Sequence, residues 1–125
     1  MSKKAVAFDI DRSQVSVDTL KKFVSEPIKE DLKSVPGIGE RAEELIKEAR
    51  PGVEDGIMNT YQLMGKFLLL KKDDQTMQEH CDAMWKWLEV KGVKSHRSSI
   101  VCAIAEKFLV MMPELSPKIA TKDNA

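Results

Sequence analysis

Apolar residues recur at helical spacing along most of the chain, and glycine and proline separate the helical stretches. Val17, Leu20 and Val24, for example, fall on one face of the first helix. The predicted helices span about 15–25, 29–35, 40–50, 57–70, 73–91 and 95–112. No segment shows the alternating β-branched pattern of a strand. We therefore predict an all-α fold, a compact single domain of five to six helices.

Two of these helices have more apolar surface than a helix needs to pack one face against the core. The helix over 95–112 is apolar on two adjacent faces, which predicts a central position in the core. The helix over 57–70 has an apolar face wider than one core needs, which predicts a second contact surface. We expect residues 15–112 to form the domain, between a flexible N-terminal extension, 1–14, and a flexible C-terminal tail, 113–125.

The composition excludes several classes of function. Hydrophobic residues make up 42% and charged residues 32%, as is typical of soluble globular proteins. Twenty basic residues balance twenty acidic ones, so binding of nucleic acid through bulk charge is excluded. No apolar run approaches the roughly 18 residues needed to span a bilayer. Cys81 and Cys102 lie within helical patterns, and we interpret them as reduced thiols of a cytosolic or nuclear protein.

The segment from Leu32 to Lys47 combines a short helix, a glycine-containing turn and a second helix, and it resembles a helix-hairpin-helix motif. Gly37 and Gly39 allow positive φ and a close approach of ligand to the main chain. Amides at the start of the second helix attract phosphate, and Arg41 lies in its first turn. The apolar residues that hold the two helices together are Leu32, Val35, Ile38, Ala42, Leu45 and Ile46. The alternative is a tight loop with no ligand.

A second glycine-containing turn, Trp87–Arg97, repeats this pattern. Lys94, His96 and Arg97 cluster where the last helix starts, and Ser95 is the predicted N-cap. This turn is interpreted either as a second phosphate-binding hairpin or as a solvated basic loop. Two such hairpins would let one small domain hold both strands of a duplex.

Four segments, in order and at matching spacing, resemble the barrier-to-autointegration factor (BAF) family. These segments are Phe23–Ile28, Val35–Glu40, Met64–Asp73 and Lys94–Arg97. The resemblance implies a SAM/HhH-like helical fold and a tight homodimer whose subunits bind double-stranded DNA without sequence preference. It also implies DNA bridging, a role in chromatin and nuclear-envelope organisation, partners with LEM domains, and a location in the nucleus, with presence in the cytoplasm left open.

The hairpins and the resemblance together predict the residues of each site. The predicted DNA-binding residues are Val35, Gly37, Ile38, Gly39, Arg41, Lys94, Ser95 and Arg97. The predicted dimer interface comprises Met64, Gly65, Leu68 and Leu69, and the predicted LEM-binding groove includes Leu69 and Lys71. A phosphorylation switch, as the family has, would require Ser13, Ser16 or Thr19.

Other chemistry has weaker support in the sequence. His80, Cys81, His96 and Cys102 match no common zinc spacing, so we expect no metal and no cofactor. No nucleophile, phosphate loop or paired acid–base motif is present, so we expect no enzymatic activity. Two alternative functions remain open: a module that binds nuclear partner helices through the dimer groove, and a helix-hairpin-helix accessory subunit in DNA repair.

Overall fold

Five α-helices and two single 3-10 turns make up the computed structural model, which describes residues 8–49 and 56–113. The helices are α1 (Val17–Ser25), α2 (Glu40–Lys47), α3 (Thr60–Leu69), α4 (Met77–Val90) and α5 (Arg97–Met111), and the 3-10 turns are Ile10–Arg12 and Leu32–Ser34. The described residues contain no strand, so the predicted all-α class is confirmed. The C-terminal tail from residue 114 onward lies outside them.

Side-chain caps set the starts of three helices and correct two predicted boundaries. Asn59 accepts a hydrogen bond from the Gln62 amide, so α3 begins at Thr60 and not at residue 57. Thr76 and Glu79 form a reciprocal capping box, so α4 begins at Met77 and not at Asp73. The Ser16 side chain caps α1 by accepting a hydrogen bond from the Thr19 amide. The predicted helix over 29–35 shrinks to one 3-10 turn.

Helix α5 lies at the centre of the core, as its two apolar faces predict. Its side chains Ile100, Ile104 and Phe108 are buried, and the helix packs against α1 and α4. The Phe67 ring of α3 stacks on Phe108 with ring centroids 5.5 Å apart. Because α5 is buried on several sides, its N-terminus is held rigidly relative to the rest of the domain.

Two buried lysines cap the C-termini of neighbouring helices, which the sequence analysis did not foresee. Lys107 is only 4% exposed, and its Nζ donates to the carbonyls of Phe23, Val24 and Glu26 at the end of α1. Lys91 is fully buried, and its Nζ donates to the carbonyl of Glu48 at the end of α2. Each charge thus meets the negative end of a helix dipole.

Residues 8–14 pack onto α4 and α5, although the predicted flexible extension includes them. The Phe8 amide donates to the Asp82 carboxylate over 2.9 Å, and the Gln14 amide donates to the Ser99 hydroxyl over 2.8 Å. Residues 1–7 lie outside the described residues. We call residues 8–14 the N-terminal strap.

The two cysteines are buried and unpaired. Burial, with a smaller effect of the neighbouring Asp82 charge, raises the pKa of Cys81 to about 12. Burial likewise raises the pKa of Cys102. Both thiols are therefore protonated and poorly nucleophilic at neutral pH, in keeping with their interpretation as core residues. In the described ranges, no cluster of three or more acidic, histidine or cysteine side chains could hold a metal ion.

None of the helices within residues 8–49 and 56–113 combines the length and the apolar character that crossing a bilayer requires.

His80 is a buried histidine whose surroundings favour the neutral ring. Its Nε2 donates to the Phe67 carbonyl over 2.7 Å, and the ring stacks on the Phe67 ring at 3.9 Å. Its Nδ1 is buried and has no hydrogen-bond partner among the described residues. Burial lowers the pKa of His80, the Phe67 carbonyl opposes this effect, and the Lys71 charge adds to it.

We expect stability to fall on acidification because of His80. Its pKa is lower in the folded chain than the ordinary value of 6.5, so the unfolded chain binds the proton more tightly. The contribution of His80 is fully present above pH 6.5 and is lost as pH falls through the folded-state pKa. Urea midpoints measured between pH 7.5 and 5.5 should decrease in the wild type and stay flatter in His80→Gln. Parallel curves for the two proteins would contradict this assignment.

Candidate nucleic-acid interface

The first hairpin is a turn that proline and glycine make possible. After the Leu32–Ser34 turn, the Ile38 amide donates to the Val35 carbonyl over 3.0 Å and closes the chain around Pro36 and Gly37. Gly37 has φ +98°, as the third residue of such a turn requires. Helix α2 then starts at Glu40, as predicted.

Gly37 and Gly39 have different physical roles. A Cβ on Gly37 would lie 2.9 Å from Cγ1 of Ile100, and its positive φ is unfavourable for other residues, so Gly37 is needed for folding. A Cβ on Gly39 would meet no atom of residues 8–49 and 56–113 within 4 Å. Gly39 also has an ordinary extended backbone, with φ −103°. The open space beside Gly39 is therefore available to a ligand.

Val35 and Ile38 are buried, and they anchor the hairpin in the core. Their side chains cannot reach a ligand at the surface, so either residue could contribute to binding only through its main chain. Leu32 and Ile46 are buried with them, as the predicted apolar frame requires.

The second hairpin joins α4 to α5 through two residues with positive φ. Gly92 has φ +94°, and His96 has φ +62° although it carries a side chain. The predicted N-cap at Ser95 is wrong, because His96 occupies the cap position of α5 and its side chain makes no capping hydrogen bond. A non-glycine residue in the left-handed region stores strain, which is often found at functional sites.

The two hairpins face each other across one groove of about 460 Å³, which we call the hairpin groove. The first hairpin contributes Gly37, Gly39 and Arg41, and the second contributes Lys94, Ser95 and His96. The structure thus brings together predicted residues that lie more than 50 positions apart in the sequence. His96, which the sequence places in the basic cluster of the second hairpin but not among the predicted DNA-binding residues, also lines the groove.

The helices that open onto the hairpin groove are the two without a side-chain cap. Ser16, Asn59 and Thr76 cap α1, α3 and α4, whereas Gly39 and His96 leave the first turns of α2 and α5 uncapped. The first amides of a helix have no partner within the helix, and the helix dipole gives them positive character. The uncapped turns are therefore suited to bind anions.

The cations of the two hairpins differ in how firmly they are held, and Arg97 does not line the hairpin groove. Lys94 is exposed and forms no ion pair with a described residue. Arg41 is exposed and lies 3.2 Å from Glu44. The Arg97 guanidinium stacks on the Trp85 ring at 4.1 Å, and the side chain is only 15% exposed. Arg97 therefore acts mainly by fixing the start of α5.

The second candidate surface is the outer face of α3. Gly65 is exposed, and a Cβ there would meet nothing within 4 Å. Tyr61, Leu68 and Leu69 are exposed around it, with Leu69 at 77%. Met64, predicted for the same interface, lies in the core at 4% exposure, because consecutive helix residues point about 100° apart. We call Tyr61, Gly65, Leu68 and Leu69 the α3 face.

Comparison with protein-family models identifies this arrangement. The model described as barrier to autointegration factor matches residues 14–106, well over half of the chain. The chain belongs to the barrier-to-autointegration factor family. The BAF family is one of non-enzymatic, DNA-binding and chromatin-related proteins with a SAM/HhH-like all-α fold. No curated protein and no solved structure shows significant similarity to the chain. The match begins at residue 14, so most of the N-terminal strap precedes the BAF region.

Proposed function

We propose that the chain binds double-stranded DNA without sequence preference, through the hairpin groove. The observation that carries this proposal is the convergence of the two uncapped helix N-termini in one groove. Backbone amides recognise phosphate, which is the same at every base pair, so they carry no sequence information. Membership of the BAF family supports DNA as the ligand.

The chemistry of the groove indicates that hydrogen-bond geometry dominates over charge. Glu40 and Arg41 lie side by side in the first turn of α2, and Lys94 lies opposite them. The main chain beside Gly39 is open, so a phosphate can reach the amides of α2 closely. We therefore expect the groove to contact the duplex backbone at only a few phosphates. These contacts require a defined spacing between the two hairpins.

This reasoning predicts a weak dependence of binding on salt. We expect the slope of log K against log salt for a random-sequence duplex to be shallower than about −4, since each neutralised phosphate contributes about −0.9. Lys94→Ala should reduce the slope by about one unit. Fluorescence anisotropy from 50 to 300 mM salt measures both quantities. Lys72→Ala, at the opposite end of α4, is the matched control and should leave the slope unchanged. A steep slope that Lys94→Ala does not alter would contradict the proposed contacts.

We further propose that two copies of the chain pair through the α3 face and bridge two duplexes. An apolar face with a glycine at its centre allows two helices to approach closely. The hairpin groove lies on α2 and the α4–α5 turn and uses no residue of the α3 face, so pairing leaves it open. Bridging is the basis of the chromatin role, and hence of the nuclear location, that we propose.

We also propose a partner groove at the end of the α3 face. Leu69 is almost fully exposed, and Lys71 follows in the turn after α3. In a dimer these residues would flank an apolar groove suited to a LEM domain of a nuclear-envelope protein. An isolated LEM domain should bind the wild-type dimer and fail to bind Leu69→Glu. Equal binding to the wild type and to Leu69→Glu would contradict the assignment of this groove.

A further inference from the structure

The N-terminal strap packs along α4 and α5, next to the second hairpin. Its contacts run from Phe8, which bonds to Asp82 and Gln78 of α4, to Gln14, which bonds to Ser99 of α5. The Asp9 amide also donates to the Ser98 hydroxyl over 3.3 Å. Main-chain groups of the strap are thus tied to two helices at several points along its length.

A second groove of about 220 Å³ separates the strap from the second hairpin. Arg12 and Gln14 line it on the strap side, and residues Lys94 to Ser98 line it on the other. Trp85 closes its floor beside the stacked Arg97 guanidinium. We call it the strap groove.

The strap groove and the hairpin groove meet along one edge. Lys94, Ser95 and His96 line both of them, so a ligand that crosses the hairpin groove reaches the strap groove without leaving the surface. Successive phosphates of one strand follow at a fixed spacing, and a guanidinium presents several donors that suit phosphate oxygens. Arg12 lies 3.7 Å from Asp9, and half of its side chain is exposed.

We propose that the strap groove is a second phosphate-binding site, in which Arg12 and Gln14 hold the duplex backbone next to the segment held by the hairpin groove. This proposal rests on the proposed function and extends it, because Arg12 precedes the region that matches the BAF family. The strap then lengthens the DNA footprint of each subunit and adds one cation to it.

Arg12→Ala in the full chain tests the strap groove by anisotropy with a random-sequence duplex. We expect a three- to tenfold loss of affinity and a salt slope shallower by about one unit. Arg12→Lys keeps the charge and should keep the slope. Lys72→Ala, which lines neither the strap groove nor the hairpin groove, should change neither quantity.

The affinities of Arg12→Ala and Lys94→Ala distinguish the strap-groove proposal from DNA binding by the hairpin groove. Arg12→Ala and wild type could bind with equal affinity and slope while Lys94→Ala is impaired. The proposal that the strap groove binds DNA would then be wrong, whereas DNA binding by the hairpin groove would be supported. If wild-type protein binds no duplex, both are overturned. A loss of affinity in Arg12→Ala with an unchanged slope would indicate that the strap only supports α5, and would also overturn the proposal. Thermal midpoints of the variants check that the strap remains docked.

Discussion

Gly39→Asp should abolish duplex binding while leaving the domain as stable as the wild type or slightly more stable. Gly39 is the N-cap of α2, with an extended backbone and open space around a Cβ. Aspartate is a preferred N-cap, because its carboxylate accepts hydrogen bonds from the first-turn amides. The same carboxylate would occupy the amides that we assign to phosphate and would repel the phosphate itself.

The size of this effect follows from the bonds that are lost. A hydrogen bond to a charged group contributes about 1.5–3 kcal/mol, so losing two of them corresponds to a loss of affinity of about 100-fold or more. Capping, in contrast, should raise the free energy of unfolding by about 0.5 kcal/mol. Anisotropy and thermal melts on the same preparations measure the two opposite effects.

Two further substitutions at Gly39 serve as matched controls. Gly39→Ala leaves the amides uncapped and should bind duplex nearly as the wild type does. Gly39→Asn caps them without a charge and should give an intermediate loss. Wild-type affinity in Gly39→Asp would mean that the α2 N-terminus does not contact DNA. Gly37 is unsuitable for this test, since its positive φ and its closeness to Ile100 make any side chain there destabilising.

Gly65→Glu should convert a dimer into a folded monomer. The residue lies in the middle of the α3 face, and a Cβ there would meet no atom of the described residues within 4 Å. Glutamate favours helix over glycine by up to about 1 kcal/mol, so the subunit itself should not be weakened. In the dimer, however, two carboxylates would be buried against an apolar surface, which is strongly unfavourable.

Sedimentation measures the outcome of this substitution. Wild-type protein should have twice the chain mass of 14.1 kDa, and Gly65→Glu should have the chain mass itself. Binding to a single duplex should persist in the variant, whereas joining of two labelled duplexes should be lost. Lys86→Gln, exposed on α4 and away from the α3 face, changes the net charge by the same amount and is the control. If Gly65→Glu still forms a dimer of normal mass, the dimer interface does not lie on the α3 face.

The sequence predicts local features of this fold well where they depend on backbone restrictions. The Pro36-Gly37 pair predicts a tight turn because few other residues adopt the required angles, and the structure places Gly37 at φ +98°. The predicted helix starts agree less well with the structure. Asp73 and Asp74 resemble a helix start in charge, but the reciprocal capping box of Thr76 and Glu79 determines where α4 begins.

Tertiary contacts account for what the sequence analysis did not predict. Nothing in a linear pattern distinguishes Gly37, which packs on Ile100, from Gly39, which faces open space. The strap has too few apolar residues to show a periodicity, and its docking depends on hydrogen bonds to α4 and α5. Lys91 and Lys107 are typical surface residues by type, and only the fold brings their charges to the ends of other helices.

The proposal that main-chain amides at two uncapped helix starts bind the duplex backbone can be tested by titrating ¹⁵N-labelled protein with a short random-sequence duplex. We expect the largest amide shifts at residues 39–42 and at residues 94–98, and both sets should shift at the same DNA concentration. Shifts confined to the α3 face, with both helix starts unchanged at saturating DNA, would contradict it.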